Sequence, residues 1–394
     1  MACVCFYFQM HQPQRLRRYS VFDTEPTYFD TTRNADLLRK IAERCYLPGT
    51  QLLLDLIKKH KGKFRVSFSI TGVLADQLKK TCPQVIDNLI QLAKTDCVEF
   101  LNETYYHSLA FLYSREEFRD QIALHADMVE DLFGQRPAVF RNTELIYNND
   151  LAHYIAGLGG YTGILAEGAD HTLNGRQPTA VFAPPIADGL KLLLKHYRLS
   201  DDIAFRFSNR NWPEWPLTAD KFAGWVGKLD GGKSDALCNL FLDFETFGEH
   251  QWEQTGIFDF LAALPGEILK HKSNKFLTVS QAIGSHDPVG EYDVPHMISW
   301  ADTERDLSAW LGNAMQSNAL HELYKLEQPV KAAGDKTLLE DWRRLTTSDH
   351  FYYMCTKYFA DGDVHKYFNP YESPYDSYIN FMNVLDNLRT RAGA

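Results

Sequence analysis

The feature that most constrains this chain is a regular alternation of short apolar runs with helical stretches from the N-terminus to about residue 285. Ala2–Gln9 reads as a strand, and so do Phe64–Ile70, Val98–Leu101, Val139–Arg141, Tyr161–Ala166, Leu190–His196 and Leu237–Phe241. Between them, Ala35–Arg44, Gln51–Lys59, Leu74–Lys80, Pro83–Lys94 and Asp150–Ala156 carry apolar residues at helical spacing. Ser114 opens a further helix with the capping pattern Ser-Arg-Glu-Glu, and Phe118, Ile122, His125 and Met128 follow along one side. Strands separated by helices pair in parallel, so the expected class is α/β. Seven or eight such units close into a barrel, and fewer leave an open doubly wound sheet. No GxGxxG follows the first strand, so a dinucleotide-binding sheet has no support.

Beyond residue 285 the pattern changes. Thr303–Met315, Ala319–Leu326, Lys336–Arg344, Ser348–Ala360 and Asp376–Arg389 all read as helices. The expected organisation is a (β/α) barrel over 1–285 followed by a C-terminal helical domain over 286–394 that completes the substrate cleft. Asp230–Ser234 (DGGKS) is too short for a phosphate loop, and Ser208–Pro216 is a turn-rich loop with two tryptophans.

Charge narrows the partners. The 41 Lys and Arg against 51 Asp and Glu leave a net charge of −10. Nucleic acid and anionic membrane surfaces need a basic footprint, so neither is expected as a partner. The opening apolar run lacks a basic lead and a small-residue cleavage site, and it is too short to span a bilayer. Seven cysteines without a CxxC pair read as buried free thiols, which points to a reducing, cytoplasmic setting. The sequence leaves the oligomeric state undetermined.

In a parallel barrel the functional groups stand where strands end. The first strand ends in Gln9-Met10-His11-Gln12-Pro13, with Cys3, Cys5, Tyr7, Gln9 and His11 on one face by period-two alternation. The third gives Glu99, Asn102, Glu103, Tyr105, Tyr106 and His107. The fourth gives Arg141-Asn142-Thr143-Glu144, in which Glu144 either serves a site or pairs locally with Arg141. The seventh gives Asp243-Phe244-Glu245-Thr246-Phe247-Gly248-Glu249-His250, two carboxylates at a strand end with a glycine for the turn. Two carboxyl groups in differing environments supply an acid and a nucleophile at neutral pH. Metal ligation by His11, Asp243, Glu245 and His250, as in a metal-dependent deacetylase or a mannosidase-like barrel enzyme, is the competing chemistry. A non-catalytic binding or regulatory protein is another.

Taken in order, His11-Gln12-Pro13, Val98 to His107, Phe140 to Glu144 and Asp243 to His250 resemble four motif regions of glycoside hydrolase family 57, the α-amylase-like retaining enzymes. Ser299-Trp300-Ala301-Asp302-Thr303-Glu304-Arg305-Asp306 is similar to a fifth. The resemblance implies a seven-stranded, distorted TIM-like barrel with a helical C-terminal domain, α-glucan or maltooligosaccharide substrates, and no metal or other cofactor. It implies Glu144 as nucleophile and Asp243 as general acid/base. It places His11, Gln12, Glu103, His107, Glu245, Trp300 and Asp302 in substrate binding, with Trp300 as a stacking platform. A 4-α-glucanotransferase of the same family is the alternative within the resemblance.

Overall fold

A computed structural model describes residues 2–187, 189–229, 236–357 and 369–394. The segment Asp230–Ser234 and residues 358–360 lie outside the described residues; of the helix expected over Ser348–Ala360, the described residues form only Asp349–Tyr352. Nine strands occur among the described residues: β1 (Ala2–Met10), β2 (Val66–Ile70), β3 (Val98–Phe100), β4 (Val139–Arg141), β5 (Gly163–Glu167), β6 (Val181–Phe182), β7 (Lys191–Lys195), β8 (Ala236–Asp243) and β9 (Lys275–Phe276). One sheet runs β3-β2-β1-β8 with β9 against β1, and the other runs β4-β5-β7-β6. All pairs are parallel except β6–β7.

Two joints close the sheets into a ring. Asn102, just past β3, bridges Phe140 of β4 in parallel. The Asn239 carbonyl of β8 accepts from the His196 amide just past β7 at 2.9 Å, and the Asn239 side chain donates to the Leu194 carbonyl at 2.9 Å. The ring β1-β2-β3-β4-β5-β7-β8 is the seven-stranded, distorted TIM-like barrel of the sequence reading.

Alternation along β1 explains its burial on both faces. Val4, Phe6, Phe8 and Met10 enter the layer between strands and helices. Cys3, Cys5 and Tyr7 enter the barrel interior with Leu101, Val139, Leu165, Leu193, Leu237 and Phe241. A strand covered on both sides must be apolar almost throughout. The interior is closed at the base by the helix Val279–Ser285, whose Ser280 amide donates to Glu99 at 2.9 Å. All seven cysteines are buried and none is in a disulfide.

The capping pattern at Ser114 holds in part. Its hydroxyl accepts from the Glu117 amide at the start of the helix Arg115–Phe133. The Glu117 carboxylate turns to Arg343 instead, at 2.8 Å, tying this helix to the C-terminal segment. There, the single helix expected over Thr303–Met315 is two: Ser308–Leu311 and Ala314–Lys325. Residues before Ser308 are held in turns, because Asp302 and Arg305 have φ of 54° and 55°, a left-handed backbone that a helix cannot contain. The helices Glu327–Ala332, Lys336–Leu345 and Pro374–Ala392 complete this segment. Trp310, Trp342 and Phe381 share one apolar core with Phe140, Ile164 and Leu192 of the barrel.

Candidate active site

The register of the sheet sets the site. Gln9 pairs with Ser69 of β2 and with Asp243 of β8, so three polar residues stand level at the rim of the barrel. The Gln9 amide donates to Glu103 Oε1 at 2.9 Å and the Ser69 hydroxyl donates to the same oxygen at 2.7 Å. Glu103 Oε2 meets His107 Nδ1 at 3.2 Å, and His107 Nε2 meets Glu144 Oε1 at 3.0 Å. The other Glu144 oxygen accepts from the Trp300 indole N–H at 2.6 Å. The Trp300 amide also donates to the Glu144 carbonyl at 3.1 Å, which locks the segment after residue 298 against the turn that carries Glu144.

That turn is strained. Glu144 and Leu145 have φ of 57° and 50°, and His107 has φ of 51°. Non-glycine residues in this region are uncommon and raise the energy of the backbone by about 1–3 kcal/mol each. Strain of this kind persists where packing fixes it, and here it aims Glu144 and His107 into one cleft.

The cleft has a volume of about 490 Å³ and is lined by His11, Gln12, His107, Glu144, Asp243, Glu245, His250, Trp300 and Asp302, among others. Eight of the nine side chains expected in the site therefore meet in it. Glu103 does not reach the cleft. It is fully buried behind His107, which takes up the carboxylate that was expected to meet sugar hydroxyls. Arg141 is not the partner of Glu144: its buried guanidinium lies 3.9 Å from Glu103 and 4.9 Å over the Trp300 ring. Trp300, expected as a stacking platform, uses its N–H on Glu144 while the ring faces two cations, Arg141 and Lys195 (5.1 Å).

The two walls of the cleft differ in charge. Burial alone would raise Glu144, but the His107 hydrogen bond and charge, Arg141 and Trp300 outweigh it and hold the carboxyl below its ordinary range. Burial disfavours charge on His107, yet its bonds to Glu103 and Glu144 raise it to about 9, so it is a cation at neutral pH. Glu103 is held down at about 2 despite burial, chiefly by His107. At the end of β8, burial and the negative charge of Glu144 push Asp243 up to about 6. Glu245 rises to about 8 from burial and the charge of Asp243. Its Oε1 accepts from the His11 amide at 3.2 Å and from the Tyr46 hydroxyl.

Several residues in the site escaped the sequence reading. Lys195 ends β7 and lies 3.8 Å from Glu167 and 3.3 Å from Asp201; Arg305 lies 3.4 Å and 3.2 Å from the same two carboxylates. The rule that found Asp243, a charged residue ending a buried strand, also marks Glu167 and Lys195. Asp349 binds His11 Nε2 at 2.9 Å, and His11 Nδ1 meets the Thr71 hydroxyl at 2.9 Å. Nothing in the local sequence around Asp349 marks it, since it arrives from the helical segment 338 residues away. Among the described residues, no three His, Cys, Asp or Glu side chains are grouped as a metal-binding set, and no helix is long and apolar enough to cross a membrane.

Comparison with known proteins bears on the fold and the family. The chain is 41% identical over 397 residues to a Methanocaldococcus jannaschii protein named "Putative alpha-amylase", covering 97% of this chain and 83% of that one. Its fold is similar to that of a GH57-type branching enzyme from Pyrococcus horikoshii, with a TM-score of 0.71 at 13% identity, covering 99% of this chain and 94% of the other. The α-amylase AmyC from Thermotoga maritima is similar with a TM-score of 0.62 at 13% identity, again over 99% and 94%. Residues 5–295 match the family described as Glycosyl hydrolase family 57. The chain belongs to glycosyl hydrolase family 57 and is an α-amylase-like glycoside hydrolase.

Proposed function

We propose that the protein cleaves α-1,4-glucosidic bonds of α-glucans and maltooligosaccharides with retention, using Glu144 as nucleophile and Asp243 as acid/base. The observation that carries this is the opposed acidity of two carboxyl groups on one cleft: Glu144 held ionised and Asp243 raised to about 6 by burial and by Glu144 itself. In the first step a Glu144 oxygen bonds the anomeric carbon as the glycosidic C–O bond breaks, and the Asp243 proton passes to the departing oxygen. In the second, Asp243 takes a proton from water, the water oxygen bonds the anomeric carbon, and the bond to Glu144 breaks. Retention needs the two carboxyl groups about 5–5.5 Å apart. Asp302 binds sugar hydroxyls, and Gln12 and Glu245 shape the same wall; His107 and His11, whose ring nitrogens are taken by Glu103 and Glu144 and by Thr71 and Asp349, position that lining. Trp300, Asp302 and Asp349 support a role for 286–394, as a helical domain, in completing the cleft of the 1–285 barrel. The buried free thiols support a cytoplasmic setting.

One observation favours sugar as a competing acceptor. Phe205 is 61% exposed and lines the cleft. It follows a helix whose Ser200 hydroxyl accepts from the Phe241 amide of β8, two residues before Asp243. An open ring there offers a face to a second sugar, as in a 4-α-glucanotransferase. Products of purified enzyme on maltopentaose decide between them, with the anomeric configuration of the first product read by NMR. Hydrolysis gives shorter α-products alone and transfer gives longer ones as well. A β-product overturns retention, and no product from any α-glucan overturns the proposal.

A further inference from the structure

A second pocket, of about 640 Å³, lies behind the segment that carries Asp243. Its walls come from the π-helical stretch Ala42–Tyr46 and the helix Leu47–Lys59 that continues it, from the start of the helix Ile257–Leu269, and from the loop between Gly248 and Gln254. In a β/α unit the helix runs back against its strand, so the start of Ile257–Leu269, which follows β8, lies at the rim that holds the cleft. Contacts hold Ala42–Tyr46 to the segment after β8: the Cys45 thiol donates to the Phe244 carbonyl at 3.3 Å, and Tyr46 donates to Glu245. At Gly248 the backbone has φ of 112°, and a Cβ there would stand 2.0 Å from the Arg44 carbonyl. Only glycine lets the loop press this closely on the first helix. One stretch of chain thus places Asp243, Glu245 and His250 in the cleft and Trp252, Glu253 and Gln254 in the second pocket.

The lining is specific in kind. Trp252 is 61% exposed, and Phe258 stands in the same pocket. A large aromatic ring left open to water in a concave site marks binding. Around it stand planar hydrogen-bonding groups: the carboxylates of Glu43, Glu253 and Asp259, the Arg44 guanidinium and the Gln254 amide. An aromatic face beside planar acceptors and donors suits a neutral polyhydroxylated ring, with C–H groups against the indole and hydroxyls against the rim. Three carboxylates to one guanidinium, on a chain of net charge −10, disfavour a phosphorylated or otherwise anionic ligand.

We propose that this pocket is a secondary α-glucan-binding site, with Trp252 as its stacking platform, that holds polymeric substrate at the rim while a different stretch of glucan occupies the cleft. The proposal rests on the α-glucan reading of the cleft. It predicts a dependence on polymer length: substrates long enough to occupy both pockets gain from Trp252, and substrates that fill the cleft alone do not.

The test uses the full chain. Binding is measured by retardation in native gels containing soluble starch, in a Glu144→Gln background so that the polymer survives, with and without Trp252→Ala. Turnover is measured for Trp252→Ala and Trp252→Tyr with Glu144 intact, on soluble starch and on an aryl maltoside. Loss of one aromatic platform weakens starch binding about tenfold and lowers kcat/KM on starch through KM, while the aryl maltoside rate is unchanged. Trp252→Tyr restores most of the starch binding. Starch binding and turnover unaffected by Trp252→Ala, with normal starch cleavage by the parent, overturn the second site and leave the cleft reading intact. Equal losses on starch and aryl maltoside overturn it too, because the ring then serves the cleft or the fold. A drop in solution mass on Trp252→Ala assigns the ring to contact between copies and likewise overturns it. A parent protein that neither binds nor cleaves any glucan removes both readings together.

Discussion

Glu144 and Asp243 face one cleft from walls built on different chemistry. Behind Glu144 stands a continuous polar chain: His107 at 3.0 Å, Glu103 at 3.2 Å from His107, then Gln9 and Ser69. Both Glu144 oxygens have donors, and the donors are themselves held from behind. Behind Asp243 stands apolar strand, Leu240 to Leu242, with Phe244 following, all buried. The cations that act on Asp243, Arg141, Lys195 and His107, lower its pKa less than burial and Glu144 raise it. The same carboxyl group is thus held as an anion in one surrounding and raised toward the acid form in the other. Desolvation acts on both, and the sign is decided by the donors and cations gathered on Glu144 and by the negative charge of Glu144 acting on Asp243.

Removing the anion tests this contrast most severely. Glu144→Gln is expected to lower kcat by about 10⁴-fold or more, as loss of a covalent nucleophile does. It also removes the charge that raises Asp243, so the Asp243 pKa falls from about 6 toward its ordinary value. Carboxyl carbon NMR titration of the variant reads that fall directly. An unmoved Asp243 would mean that burial alone sets its acidity and that the walls are independent.

Asp243→Asn comes next, with a loss of about 10²–10⁴-fold on glucans, the range for general acid catalysis. An activated aryl glycoside needs little proton donation, so the first step on it should be far less affected. The comparison of the two substrates under single-turnover conditions checks the assignment. Equal losses on both would place Asp243 outside proton transfer. In the proposed mechanism, Asp243 must hold its proton for the first step. Activity therefore falls as pH rises through about 6, while Glu144, held below its ordinary range, stays ionised throughout that limb.

The same contrast explains what the sequence showed and what it hid. The barrel was legible because β1, β2, β4, β5, β7 and β8 are fully or almost fully buried, and burial on both faces leaves unbroken apolar runs in the sequence. Glu144 and Asp243 were legible because a charge at the end of such a run stands out against it. The roles behind them were not. Whether Glu103 touches a ligand or a histidine depends on the depth of one turn, and the φ of 51° at His107 sets that depth. Whether Trp300 offers its face or its N–H depends on which strand end its segment lies against, a contact 156 residues away. The break between Asp302 and Ser308 was hidden for a related reason, since helical spacing continues through residues that the cleft holds in a left-handed backbone.

Trp300→Phe probes the Glu144 wall at smaller scale. Phenylalanine keeps the ring between Arg141 and Lys195 and loses the N–H at Glu144 Oε2. A hydrogen bond to a charged group is worth about 1.5–3 kcal/mol, so kcat should fall about 10- to 100-fold. The acidic limb of the pH profile should move upward, because one of the groups holding Glu144 down is gone. A larger KM with unchanged kcat and an unmoved acidic limb would return Trp300 to the stacking role read from sequence.

Glu245→Gln produces the smallest effect and asks which carboxyl on the second wall loses its proton first. Asp243 stands at about 6 and Glu245 at about 8, so Glu245 is still neutral while Asp243 titrates. A glutamine resembles that neutral acid in shape, and its carbonyl accepts from the His11 amide and Tyr46 hydroxyl as Glu245 Oε1 does. The variant should keep kcat within about threefold below pH 7, and its basic limb should stay within roughly half a pH unit of the parent's, since neutral neighbours exert little charge on one another. A basic limb shifted down by a full unit would show that Glu245 is ionised in the working enzyme. The two carboxyl groups would then share their protons as a coupled pair, with Glu245 as well as Glu144 holding the proton on Asp243.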